Sequence, residues 1–120
     1  MIHEYSPIPI LEILISPELL VELLEILRLN NAEITESFDP KFEKDADTIS
    51  VNKGALYIFV YHGTSEERKV SFHQNPAFWS SDLLIVTLNF VQKKGLWILE
   101  NRVGKIIPPD VYPSHEILRY

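Results

Sequence analysis

Thr48-Ile49-Ser50-Val51-Asn52-Lys53-Gly54-Ala55-Leu56-Tyr57-Ile58-Phe59-Val60-Tyr61-His62 is the stretch that decides the fold. Thr48 to Asn52 alternates in polarity, Asn52-Lys53-Gly54 supplies turn chemistry, and Ala55 to His62 is rich in β-branched and aromatic residues, so the segment reads as a β-hairpin. His62-Gly63-Thr64-Ser65-Glu66-Glu67 then turns the chain into Arg68 to His73, a third strand, and the unit becomes an antiparallel meander. Period-two alternation puts Tyr57, Phe59 and Tyr61 on one side of the second strand and Leu56, Ile58 and Val60 on the other. Both sides are apolar. Either the rest of the chain covers both faces, or the aromatic row Tyr57, Phe59, Tyr61 is a contact surface for a partner.

Upstream, Ser16 has the chemistry of an N-cap and Pro17 that of a first helical residue, and leucine-rich sequence runs from there to Leu29 before Asn30 and Asn31. This is a helix. Its polar side is Glu18, Glu22 and Glu25, while Leu19, Leu20, Leu23, Leu24, Ile26 and Leu27 cover most of the rest. That apolar arc is wider than the ~100° stripe one packed face needs, so a second surface, such as another copy of the chain, is expected against it. Tyr5 to Ile15, with Pro7 and Pro9, reads as an extended lead-in or short edge strand. Glu33 to Asp47, with Pro40 and little periodicity, reads as a surface loop.

Downstream, Asp82 to Lys94 fits two templates. A helix closed by Gly95 would align Leu84, Leu88 and Val91, whereas a strand would align Leu84, Val86, Leu88 and Phe90 among β-forming neighbours. The strand is preferred. Leu96 to Glu100 and Arg102 to Ile107 read as further extended segments ended by Pro108-Pro109. The expected fold is therefore α+β: a single domain over 1–120, with the N-terminal Leu-rich helix packed on an antiparallel meander and further strands across 83–107.

Composition bounds the function. The 120 residues contain no cysteine, which removes disulfides, thiolate nucleophiles and cysteine-ligated zinc. The first basic residue is Arg28 and Glu12 interrupts the apolar run from Ile8 to Ile15, so no secretory signal is expected there, and the expected location is the cytoplasm. No apolar stretch approaches the ~20 residues that span a bilayer. The net charge of −6 is uneven: residues 1–60 hold eleven Asp/Glu against four Lys/Arg, and residues 61–120 hold six against seven. Such a balance opposes nucleic-acid binding, which relies on basic patches. The densest run comprises Glu33, Glu36, Asp39, Glu43, Asp45 and Asp47 against Lys41 and Lys44.

Catalytic motifs do not emerge. Asp45-Ala46-Asp47 opens like a calcium loop, but Ser50 stands at its sixth position, where glycine is required, and Leu56 at its twelfth, where a bidentate glutamate is required. Asp47 followed by Glu67-Arg68-Lys69 has the order of a metal-dependent nuclease site, and His62 with His73 suggests acid/base cleavage of RNA. If the strands pair across the 63–67 turn, however, the two histidines stand roughly 17 Å apart at ~3.4 Å per residue. No phosphate-binding glycine loop, nucleophile elbow or zinc-protease helix is present. No cofactor, metal ligand set or catalytic residue is assigned. The sequence points to a non-enzymatic binding or inhibitor protein of the immunity, antitoxin or anti-defence kind. In that reading Glu33, Glu36, Asp39, Glu43, Asp45 and Asp47, with the aromatic row, meet a basic partner protein. The nuclease and a homodimer are the alternatives.

Overall fold

The computed structural model of the chain describes residues 8–37, 45–75 and 81–103. The elements run β1 (Ile8–Ile15), α1 (Pro17–Leu29), β2 (Ile34–Ser37), β3 (Ala46–Val51), β4 (Leu56–Tyr61), β5 (Arg68–Gln74), α2 (Ser81–Lys94) and β6 (Trp97–Asn101). The strands form one sheet in the order β2-β3-β4-β5-β1-β6, antiparallel at every pairing. This is the expected α+β class.

The meander forms as its turn chemistry dictates. Asn52, Lys53 and Gly54 have φ of 51°, 58° and 95°, and at the last of these only glycine is unstrained. Space is also short, because a Cβ on Gly54 would lie 2.8 Å from the Tyr57 hydroxyl oxygen. Ile49 pairs with Ile58 and Ile58 with Phe72, so three consecutive strands put apolar side chains on one face.

Helix α1 begins and ends where its caps require. Ser16 Oγ accepts from the Leu19 N–H at 3.3 Å, a cap worth about 1 kcal/mol. Asn31 takes φ 68°, and the N–H groups of Asn31 and Ala32 donate to Arg28 O and Leu27 O at 2.9 and 3.0 Å. Leu23, Leu24 and Leu27 are buried in a cluster with Leu11, Ile13, Ile15, Ile58, Val70 and Phe72 from the sheet and Leu84, Leu88 and Val91 from α2. Both helices therefore lie on one face. The second surface demanded by the wide apolar arc of α1 is supplied by α2 of the same chain, across which Lys94 and Glu22 also pair at 3.0 Å.

Three expectations need correction. β1 is not an edge strand, because β5 and β6 flank it. The register shift between Pro9 and Leu11 accommodates the proline, and β6 begins pairing only at Leu11, so the two-sided part of the strand is proline-free. The acidic stretch is not all loop: Ile34–Ser37 is β2, and β3 begins at Ala46. Four residues with one apolar side chain are too few to show alternation. Finally, residues 81–94 are a helix. Asp82 stands in its first turn, Lys93 and Lys94 in its last, and Gly95 follows with φ 65°. Leu83, Leu84, Thr87, Leu88 and Val91 are buried at helical spacing, and Thr87 Oγ1 satisfies itself by donating to Leu83 O at 2.9 Å. Beyond it the predicted strand at Leu96 to Glu100 is β6, whereas of the segment expected to be extended over 102–107 Arg102 and Val103 are not strand and 104–107 lie outside the described residues.

Candidate functional site

Antiparallel pairing sorts the candidate residues onto two faces and two ends of the sheet. Asp45 accepts from the His62 N–H at 2.9 Å, so the start of β3 and the end of β4 lie side by side where β4 turns into β5. Asp47 joins them there, with His62 Nε2 donating to its Oδ1 at 2.9 Å. Glu33 is elsewhere. It sits beside the Asn52 turn, its N–H donating to Asn52 Oδ1 at 2.8 Å, ~24 Å along β3 from Asp45 at ~3.4 Å per residue. Glu36, opposite Ile49, lies between these positions and is exposed. Asp39 and Glu43 lie outside the described residues.

The end that holds Asp45 and Asp47 collects further carboxylates that no linear motif announces. The β4–β5 turn carries exposed Glu66 and Glu67, and a cleft of about 860 Å³ separates it from the first turn of α1, where Glu18 stands. Arg68 lines this cleft, but its guanidinium donates to the Ser65 carbonyl. Four carboxylates elsewhere in the described residues are paired with Lys or Arg. Glu12 is paired with Lys69 at 4.0 Å, Glu22 with Lys94 at 3.0 Å, Glu25 with Arg28 at 2.8 Å and Glu100 with Arg102 at 3.1 Å. Glu18, Glu33, Glu36, Asp45, Glu66, Glu67 and Asp82 have no ion-pair partner among the described residues, and Glu18, Asp45, Glu66 and Glu67 of these lie at this one end. The result is one sheet end where exposed Glu18, Asp45, Glu66 and Glu67 gather near Arg68 without a direct ion pair among the described residues.

The aromatic row lies on the face opposite the helices and is only partly available. Phe59 is 4% exposed; Tyr57 stacks beside it at 6.1 Å and the His73 ring meets it edge-on at 4.7 Å. Its ladder neighbours Thr48 and Ser71 are buried too, and the Thr48 hydroxyl has no hydrogen-bond partner among the described residues. Tyr57 and Tyr61 remain half-buried, with the Lys69 ammonium 4.4 Å from the Tyr61 ring centroid. The accessible part of the row is therefore its two tyrosines.

The nuclease constellation is not brought together. Asp47 opposes Val60 and shares the helix-covered face, whereas Lys69, two residues from Ser71, points to the other face with Phe59. His73 stands opposite Tyr57, as the predicted register requires, and its Nε2 lies 3.0 Å from Ser71 Oγ, far along the strand from His62. Asp47 and His62 can orient one another, but no third His, Asp or Glu converges on them to hold a metal among the described residues. No described helix is long and apolar enough to cross a membrane.

Sequence reasoning found Asp45 and Asp47 through local density. It missed Glu18, Glu66 and Glu67 because only the return of β1 and the β4–β5 turn to one end brings them together. No family model, curated protein or solved structure matches the chain.

Proposed function

We propose that this is a non-enzymatic binding or inhibitor protein of the cytoplasm, whose acidic sheet end meets a basic surface on a partner protein. One observation carries the reading: Glu12, Glu22, Glu25 and Glu100 are each matched by Lys or Arg, whereas Glu18, Asp45, Glu66 and Glu67, gathered at the β4–β5 end, have no ion-pair partner among the described residues. Unmatched surface charge of one sign raises the rate of encounter with an oppositely charged partner and disfavours like-charged ones. A homodimer through α1 has less support, since α2 already covers the helix's second apolar surface.

The test compares the tagged chain with a variant carrying Glu18→Gln, Asp45→Asn, Glu66→Gln and Glu67→Gln, both used to capture proteins from native cell extract. All four side chains are exposed, so circular dichroism and melting should be unchanged. The expected result is one stoichiometric basic partner, released at high salt and associating about ten-fold more slowly with the variant at low salt. Equal association of wild type and variant would refute the reading. Cleavage of labelled nucleic acid by the purified chain, lost on Glu67→Ala, would favour the enzyme instead.

A further inference from the structure

The two edges of the sheet are built differently. The ladder between β6 and β1 is interrupted by a register shift between Glu12 and Ile13, which bends the outer strand and breaks its row of backbone groups. β2 pairs with β3 without interruption from Ile34↔Val51 to Ser37↔Thr48. At the start of this ladder the Asn52 N–H donates to Glu33 O at 2.8 Å, and the Glu33 N–H donates to Asn52 Oδ1 at 2.8 Å. Glu33 thus turns both backbone groups toward β3. Antiparallel alternation makes Thr35 and Ser37 do the same and points the N–H and C=O of Ile34 and Glu36 away from the sheet. Those outward groups form a template for one more strand.

The side chains at this edge select what adds to it. Glu33 and Glu36 are exposed and have no cationic partner among the described residues. A second copy would bring another Glu33 and Glu36 to the same edge, and like charges on adjacent strands destabilise the pairing. A strand with Lys or Arg beside Glu36 gains a cross-strand ion pair instead. We infer that β2 is the docking edge for an extended basic segment of the partner protein. The segment adds outside β2, hydrogen-bonds the Ile34 and Glu36 backbone, and sets a basic side chain beside Glu36 and an apolar one beside Ile34. This assignment rests on the proposed reading of the protein as a binder of basic partners.

Proline separates backbone from charge. At Glu36 it removes an outward N–H and is tolerated as on any edge strand, whereas Glu36→Gln removes the charge alone. A random peptide library displayed on phage is panned on the full-length chain, and selected peptides are titrated against wild type, Glu36→Gln and Glu36→Pro. Expected are peptides with a Lys or Arg two residues from an apolar residue that bind Glu36→Gln about ten-fold more weakly and Glu36→Pro about ten-fold more weakly again. They should also slow amide exchange at Ile34 and Glu36 of the wild-type chain, a readout that does not depend on either variant folding. Salt-sensitive peptides that leave those two amides unprotected would overturn the docking edge while sparing the acidic-surface reading. Salt-insensitive peptides that bind Glu36→Gln at full strength would overturn both, and failure to enrich any peptide would overturn the docking edge.

Discussion

Phe72→Ala is expected to lower the free energy of unfolding by about 3–5 kcal/mol, because it deletes a fully buried ring from a core that cannot close around the gap. Phe72 is 0% exposed. It stands on β5 between Leu11 of β1 and Ile58 of β4, so all three strands lose packing at once. Against a total stability of about 5–15 kcal/mol, such a loss brings the chain close to unfolding at ambient temperature. Urea denaturation followed by circular dichroism measures it. A shift below 1 kcal/mol, on the order of a surface change, would mean that this ring does not hold the sheet to the helices.

Thr87→Asp is expected to be as damaging, and Val86→Asp much less so. Thr87 is 0% exposed and donates to Leu83 O; a carboxylate there would be buried, deprived of its donor role and pressed against a carbonyl. The cost is several kcal/mol, enough to prevent folding. Val86 is only half-buried, beside the groove between the helices, where a carboxylate reaches water. The order of the two effects is diagnostic, because a strand over these residues would put Val86 inside and Thr87 outside. Thermal melts of both variants decide it.

That ambiguity shows where the sequence stops specifying the fold. Leu84 and Leu88 lie on one face under period two and under period 3.6, so the residues that anchor α2 could not distinguish the two readings. What tips the balance is tertiary: the β5-to-β6 connection passes over β1 and needs a helix on the core face. The meander was legible because Asn52-Lys53-Gly54 fixes a turn that alternation on both sides agrees with, and α1 because Ser16-Pro17 and Asn30-Asn31 mark both its ends. β2 was hidden by its four-residue length. β1 was legible as extended but not as interior, since which strands flank it depends on the whole topology. The acidic end was half legible: Asp45 and Asp47 announce themselves by density, whereas Glu18, Glu66 and Glu67 arrive there from distant parts of the sequence.

The aromatic row carries the complementary lesson. Alternation correctly put Tyr57, Phe59 and Tyr61 on one side, but alternation cannot say whether a side chain ends up under cover. Phe59 does, which leaves only Tyr57 and Tyr61 of the row partly exposed.

The most direct test of the acidic-end account is amide hydrogen exchange on the chain alone and in complex with its captured partner. Slowed exchange confined to 34–37, 45–47 and 62–68 is the result the account requires. Protection on the outer side of α1 between Val21 and Leu29, or along β6, with the acidic end unchanged, would contradict it.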